Sequence, residues 1–195
     1  MAIVALSEPS AAQLQLDTYN RNIGGSLNRR AEFTVPADTH WAVIGCVVAD
    51  VVTQSDVTDT LVPAIEALAQ VTSVNGDQFW GQIPETIETA DHECVLYVTS
   101  RCVTGIGPAG DYFSETTQGA EQLKPPLDKK WFLAVLRVPA ALDDTSIAAL
   151  ESAVAGITGV SSCEHLIDGT VSDRATTSAS LVITAHMRIE PEPEE

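Results

Sequence analysis

The chain contains one apolar pattern twice, and this repeat constrains the fold more than any other feature of the sequence. Residues 57–103 and 143–189 align with each other at a constant offset of 86 positions, without a gap. Few aligned residues are identical, so what the two segments share is the spacing of Val, Leu and Ile. Each copy follows a strand-like run that begins with a tryptophan, Trp41 or Trp131. The sequence therefore predicts an internal duplication.

Each copy predicts the order β-α-β-β, and the expected fold class is α+β. Runs of β-branched and apolar residues predict strands, and apolar residues three or four positions apart predict one amphipathic helix in each half. The helical residues are Val57, Leu61, Ile65 and Leu68 in the first half and Ile147, Leu150, Val154 and Ile157 in the second. Tandem units of this kind favour a mainly antiparallel sheet with two helices packed on it.

Local signals predict where these elements begin and end. Ser55 or Asp56 is expected to cap the first helix and Asp143-Asp144 the second, because short polar side chains accept hydrogen bonds from free backbone N–H groups. Pro63 lies inside the first helix and is expected to kink or shorten it. Two dipeptides predict turns, namely Asn75-Gly76 and Asp168-Gly169.

The remaining segments predict how the chain is divided. Residues 1–30 are expected to form an N-terminal arm, 31–104 the first half, 105–129 a long connecting loop, 130–190 the second half and 191–195 an acidic tail. Long loops are often functional. The arm and the loop could each be ordinary surface or could contact a neighbouring subunit. The residues expected to make such contacts are Arg21, Arg29 and Arg30 in the arm and Tyr112 and Phe113 in the loop.

The charge of the chain is strongly negative. It has 27 acidic and 10 basic residues, a formal net charge of −17, and three lysines. Such self-repulsion opposes the compact state in dilute buffer and is screened in molar salt. The composition is similar to that of proteins from salt-in halophilic archaea or their viruses, and a GC-rich actinobacterial source is the alternative. The charge argues against direct binding of nucleic acid and of anionic membranes.

The motif search predicts no catalytic, cofactor-binding or metal-binding residues. Residues 105–110 match G-x-G-x-x-G, but the segment that follows lacks the apolar stripe of the helix that a dinucleotide site needs. The four histidines and four cysteines show none of the common zinc spacings. Cys163 and His165 would share one face of a strand and could hold an ion only with help from elsewhere. The sequence does not favour an enzyme.

The C-terminal part carries a family resemblance. The predicted helix at 143–157, the polar turn DGTVSDRATT and the final strand SLVITAHMRIE resemble the end of tail-terminator and tail-completion proteins of tailed viruses. The resemblance implies a small acidic α+β protein that forms rings at the end of a tail tube. The expected function is therefore that of a self-assembling virion protein of a haloarchaeal tailed virus, a homo-oligomer that is assembled in the host cytoplasm and contacts other virion proteins.

A second hypothesis is a cytoplasmic binding or regulatory module for a small molecule. The β-α-β-β units resemble dodecin-like flavin-binding folds in topology, and a pocket could form between the duplicated sheets. Trp80 lies in a predicted strand and could stack on a ring there, although a place in the core is the other interpretation.

Overall fold

A computed structural model of the chain describes residues 26–36, 38–82, 92–104, 118–126, 129–171 and 178–191. The strands are β1 (Ser26–Pro36), β2 (Thr39–Val48), β3 (Ser73–Gln82), β4 (His92–Thr104), β5 (Gln118–Leu123), β6 (Lys130–Val138), β7 (Val160–Val171) and β8 (Ser178–Pro191). The first helical segment comprises α1 (Gln54–Asp56), a π-helical turn (Val57–Leu61) and α2 (Val62–Glu66), and the second is α3 (Asp144–Ala155). The α+β class with mainly antiparallel sheet and two helices is confirmed.

The strands form two four-stranded sheets. The outer sheet has the order β1-β8-β4-β5, and the central sheet has the order β3-β6-β2-β7. All the strand pairings are antiparallel. The helices pack on one face of the central sheet and the outer sheet packs on its other face, which gives three layers. Within the described residues, neither helix is long and apolar enough to cross a membrane.

The alternation of side chains along the central strands builds two cores. In β6, Trp131, Leu133 and Val135 point towards the outer sheet, and Phe132 and Ala134 point towards the helices. Successive side chains of a strand point to opposite faces, so a strand that is buried on both sides reads as a continuous apolar run. The two cores therefore meet at β2 and β6, and both strands are buried along almost their whole length.

In the described part of the chain, β1 to β4 pair only with β5 to β8, and we call these two sets of strands the two halves of the structure. In the outer sheet, β8 pairs with β1 and with β4, and β4 also pairs with β5. In the central sheet, β6 pairs with β3 and with β2, and β2 also pairs with β7. The order of each sheet is unchanged when β1 to β4 are exchanged for β5 to β8. The two halves are thus interleaved rather than separate units. That a duplication produced this arrangement stays a prediction.

The constant offset of 86 does not match the buried positions. It aligns Leu96 with Val182, but Leu96 faces the central sheet and Val182 has the opposite orientation in β8. The tryptophans of β2 and β6 differ by 90 positions, and the buried helix residues Leu61 and Leu150 differ by 89. An ungapped alignment fails here because one extra residue in a strand moves every following side chain to the other face.

The first helical segment differs from the prediction at its start. Thr53, not Ser55 or Asp56, is the N-cap, and its side chain accepts a hydrogen bond from the backbone N–H of Asp56 at 3.2 Å. The Asp56 carboxylate accepts a reciprocal bond from the N–H of Thr53 at 2.8 Å, which completes a capping box. Pro63 lies near the start of α2, just after the π-helical turn. Proline has no N–H to donate to the preceding turn, and the helix is disturbed at this point, as predicted.

Both predicted turns are wrong because they lie inside strands. Asn75-Gly76 falls in β3 at a shift of register, where the pairing with β6 is interrupted up to Phe79. Gly169 lies in β7 opposite Trp41, and a Cβ on Gly169 would lie 2.6 Å from Cζ2 of that ring. The glycine is therefore needed for the close approach of an indole and not for a reversal of the chain.

Two predicted boundaries also change. β1 begins at Ser26, so residues 26–30 of the predicted arm belong to a strand. β5 lies inside the segment 105–129, which was expected to be a loop without regular structure. Both strands are at the edges of the outer sheet, where each gains ladder hydrogen bonds from only one neighbour. Residues 26–30 and the short β5 are mostly polar and give a weak pattern, so only the tertiary pairing reveals that they are strands.

The contact between Gly169 and Trp41 predicts the effect of a single methyl group. Gly169→Ala should lower the free energy of unfolding by about 1–3 kcal/mol, because the Cβ would overlap a buried ring. Gly156→Ala is the matched control, since the nearest atoms to its Cβ lie at 3.4 and 3.5 Å. Urea unfolding of the three proteins measures the difference. Equal stability of Gly169→Ala and the natural chain would contradict the packing.

The pairing across halves predicts that the chain folds only as a whole. A chain cut after Gly110 gives one fragment with β1 to β4 and another with β5 to β8. Each fragment lacks every strand partner, so neither should fold alone, and an equimolar mixture should recover the native circular dichroism spectrum. Cooperative unfolding of either isolated fragment would show that the halves are independent.

Candidate functional site

The outer sheet has one face that no described element covers. Its inward side chains are buried against the central sheet, while alternate residues of β4 and β8 point outwards. Among the residues whose side chains the structure describes, the outward ones other than the buried Val95 are Glu93, Tyr97, Thr99 and Arg101 in β4 and Val182, Thr184, His186 and Arg188 in β8. We call this set the open face.

An aromatic and cationic cluster lies at the centre of the open face. Arg188 Nε donates a hydrogen bond to Nε2 of His186 at 2.9 Å, and the Arg188 guanidinium carbon lies 5.7 Å from the centroid of the Tyr97 ring. The rings of Tyr97 and His186 are 6.5 Å apart and inclined at 48°. The register sets this geometry, because Tyr97 is directly opposite His186 in the ladder of β4 and β8.

The open face is not acidic, unlike the chain as a whole. Arg101 and Arg188 are exposed. The carboxylate of Glu93 accepts two hydrogen bonds from Nζ of Lys124, at 2.9 and 3.0 Å. The charge of Glu93 is therefore compensated by Lys124, the residue that follows β5. The open face therefore carries two exposed arginines, Arg101 and Arg188, and one carboxylate that is paired with Lys124.

The opposite surface of the protein is formed by the helices and is acidic. Residues 49–72 and 139–159 contain seven acidic residues and no lysine or arginine. Six of the seven are exposed, and Glu151 is half-buried. The carboxylates are Asp50, Asp56, Asp59, Glu66, Asp143, Asp144 and Glu151. The three layers thus separate the charges, with cations on the open face and carboxylates on the helices.

Two of these carboxylates take part in helix capping, Asp143 as the N-cap of α3 and Asp56 in the capping box of Thr53. Asp143 Oδ1 accepts hydrogen bonds from the backbone N–H and from the hydroxyl of Ser146, at 2.8 and 2.6 Å. These bonds with Ser146 hold the pKa of Asp143 below its ordinary value of 3.8, and bonds from Thr53 act in the same way on the pKa of Asp56. The prediction that Asp143-Asp144 caps the second helix is confirmed, with Asp143 as the N-cap and Asp144 in the first turn.

The residues predicted to contact a partner are only partly placed by the structure. Arg29 and Arg30 lie in β1, where their backbones are in register with Ala185 and Thr184 of β8. They belong to the edge strand of the outer sheet rather than to an arm. Arg21, Tyr112 and Phe113 lie outside the described residues.

Sequence reasoning missed the residues of β4 on the open face. The polar side of β8, with His186 and Arg188, is visible in its alternating pattern, but nothing in the sequence shows that β4 is its neighbour. The alternation of Tyr97, Thr99 and Arg101 is the signal that could have indicated an exposed face. Only the pairing of β4 with β8 joins the two rows into one surface.

Two cysteines far apart in sequence are neighbours in the central sheet. Cys46 and Cys163 are directly opposite each other in β2 and β7, and both are free thiols. Burial, and a hydrogen bond with Cys163, raise the pKa of Cys46 well above its ordinary value, and burial raises the pKa of Cys94 to about 12. Cys46 and Cys94 are therefore small buried residues of the cores.

The hypothesis of an ion between Cys163 and His165 finds no third ligand. Nε2 of His165 lies 3.1 Å from Oδ2 of Asp168, within the range of an ion pair but without the geometry of a hydrogen bond. The backbone N–H of His165 donates to Glu151 at 2.7 Å. Among the described residues, no three side chains of His, Cys, Asp or Glu are arranged to hold a metal ion.

Trp80, the residue that could stack on a ring under the second hypothesis, is in register with Phe132 in the central sheet, and its side chain lies outside the described part of the structure.

A cleft of about 270 Å³ lies at one end of the central sheet. It is lined by Asp38, Thr39, His40, Thr72, Arg137, Val138 and Pro139. These residues come from the β1–β2 connection, the beginning of β2, the residue before β3 and the end of β6. The lining is mostly polar, in contrast to the apolar cores on either side of the sheet.

Comparison with known proteins gives no relative. No protein-family model matches the chain, and no curated protein or solved structure is significantly similar to it.

The Asp143 cap predicts a pH-dependent part of the stability. Asp143→Ala should lower the melting temperature at pH 7, and the difference from the natural chain should shrink as the pH falls. The sign follows from the lowered pKa of the folded state, because the ionised cap stabilises the fold above 3.8 and this stabilisation is lost as the pH falls through the folded value. Thermal melts between pH 7 and about pH 2 measure it.

Asp144→Ala is the matched control for this cap. Asp144 is also exposed and lies in the first turn of α3, but it does not accept the capping hydrogen bonds. The control should lose less stability than Asp143→Ala. A melting curve of Asp143→Ala that equals that of the natural chain at pH 7 would contradict the role of the cap.

Proposed function

We propose that the protein is a self-associating structural subunit, in which the open face of one copy binds the acidic helix layer of the next copy. The observation that supports this most is the separation of charge between two opposite surfaces. The open face carries Arg101 and Arg188 with the side chains of Tyr97 and His186, and the helix layer carries only carboxylates.

The composition of the open face suits an interface. Arginine and tyrosine are enriched in protein interfaces, because both combine apolar contact area with directed polar groups. The contact of Arg188 with Tyr97 and its bond to His186 hold three side chains of the face together. Side chains that are already held in place lose less conformational entropy when a partner binds.

The two surfaces predict the symmetry of the assembly. A contact between two different surfaces is heterologous, and repetition of it produces a ring when the rotation closes or a filament when it does not. A two-fold dimer would instead place the open faces of two copies against each other. Such a dimer would bring Arg101 and Arg188 of both copies together without a carboxylate partner from the helix layer.

The same proposal extends to a biological setting. A ring-forming acidic α+β protein is what the resemblance of the C-terminal part to tail-terminator and tail-completion proteins implies. We therefore propose a place in the virion of a haloarchaeal tailed virus, in the tail or at the junction of head and tail. The partners would be copies of this chain and other virion proteins. The acidic composition of the chain supports a salt-rich setting.

Light scattering coupled to size-exclusion chromatography tests the association. In about 2 M KCl, the natural chain should elute as a ring or a longer assembly whose mass rises with concentration. Contact pairs within an interface are less screened by salt than exposed charges, so the association should persist there. A monomer at every salt and protein concentration would refute the proposal.

Variants with a single reversed charge locate the interface. Arg101→Glu should weaken association by about tenfold or more, because an exposed cation that meets carboxylates becomes an anion that repels them. Lys129→Glu makes the same change of charge just before β6, at a residue that is not part of the open face, and should associate like the natural chain. Equal loss in both variants would show that net charge, not the open face, controls assembly.

A further inference from the structure

We propose that the cleft beside Arg137 binds a small oxyanion, the carboxylate or phosphate group of a small molecule. The cleft is a separate feature from the open face, because it lies at the end of the central sheet and shares no residue with it. The proposal is therefore independent of self-association.

The position of Arg137 in β6 brings its guanidinium to the cleft. Arg137 follows Trp131, Leu133 and Val135 on the same side of the strand, the side that faces the outer sheet. It is in register with Trp41 on one neighbouring strand and with Ser73 on the other. The strand is thus fixed on both sides, and the arginine is the polar end of an otherwise apolar row.

The guanidinium of Arg137 is poorly satisfied by the protein. Its Nη2 donates to Oγ1 of Thr39 at 3.5 Å, which is long for a hydrogen bond. Its Nε is buried and has no hydrogen-bond partner in the described part of the chain. A guanidinium carries five donors, and a buried donor without an acceptor costs free energy.

No described carboxylate compensates this cation. The chain has 27 acidic residues, yet the ion pairs of the described residues do not include Arg137. Asp38 lines the same cleft and is exposed, but it does not form an ion pair with Arg137. An anion from solution would supply the charge and the acceptors that the fold leaves out.

The other polar groups of the cleft suit an oxyanion. Nδ1 of His40 and Oγ1 of Thr170 are 2.8 Å apart, which holds the imidazole ring in place. Nε2 of His40 has no partner among the described residues and can donate to an oxygen atom when it carries the proton. Thr39 and Thr72 add hydroxyl groups, of which Thr39 is almost completely buried.

The size and the rim of the cleft limit the ligand. Pockets for drug-sized ligands are typically about 300–1,000 Å³, so a volume of about 270 Å³ favours a smaller molecule. Asp38 has a φ of +55°, a left-handed conformation that aspartate tolerates better than most residues, and its carboxylate is on the rim. Its negative charge should weaken the binding of a bare anion, which gives the proposal a second, opposite test.

Isothermal titration of the full chain measures the binding directly. Acetate and inorganic phosphate are the two probes, titrated at constant ionic strength in the lowest KCl concentration at which the chain stays folded. We expect saturable binding of one anion per chain for at least one probe. The probe that binds more tightly identifies the natural group as a carboxylate or as a phosphate. Absence of saturable binding with both probes would overturn the proposal.

Three variants assign the binding to the cleft. Arg137→Met keeps the length of the side chain and should weaken binding by about tenfold or more, since it removes charge-assisted hydrogen bonds. Asp38→Asn should strengthen binding by about threefold, because it removes a like charge near the anion. Lys129→Met removes a cation just before the other end of β6 and should leave the affinity unchanged.

Each result decides for or against the cleft. Binding by Arg137→Met that equals that of the natural chain would overturn the proposal, and so would an affinity of Asp38→Asn that is unchanged or lower. Asp38 is exposed and makes no ion pair with Arg137, so this second variant should fold even if Arg137→Met does not. An equal loss of affinity in Lys129→Met would show diffuse attraction by surface charge and would also overturn it.

Discussion

The pairing of β2 with β6 holds this structure together, because both strands are apolar on both faces. Each strand alternates between the core against the outer sheet and the core against the helices. No two-layer arrangement can bury two such strands, since one face of each would remain in water. The three layers follow from this requirement. The tryptophans at the two ends of the pair, Trp41 and Trp131, show the same constraint in detail, because each lies opposite a glycine of the next strand.

The interleaving of the halves follows from the same centre. β2 and β6 belong to different halves, so the strands that extend the central sheet, β3 and β7, each attach to a partner from the other half. The outer sheet repeats this rule with β8 and β4 at its centre. Neither β1 to β4 alone nor β5 to β8 alone contains any of the strand pairs of this structure. The cores are apolar and the surfaces are polar because the helices and the outer sheet each bury one face against the central sheet and expose the other.

The candidate sites lie where this layering ends. The open face exists because the outer sheet is covered on one side only among the described residues. The cleft is polar because the row of β6 side chains that faces the outer sheet is apolar from Trp131 to Val135 and ends with Arg137. Both places hold arginines in a chain of net charge −17, Arg101 and Arg188 on the open face and Arg137 in the cleft. Clustered cations on an acidic protein attract anionic groups of a partner or a ligand.

The sequence by itself determined the α+β class, the two helices with their apolar stripes, the cap at Asp143 and the strands at the centre of each half. These features depend on local periodicity and on short-range hydrogen bonds, and both can be read along the chain. The tertiary structure decided the edge strand β5 and the beginning of β1, the roles of Gly169 and of the Asn75-Gly76 dipeptide, the pairing of Tyr97 with His186, and the place of Arg137 and His40 in one cleft. Those features depend on which strands are neighbours and on which face each residue takes. A shift of one residue reverses the face, and nothing in the local pattern fixes the neighbour.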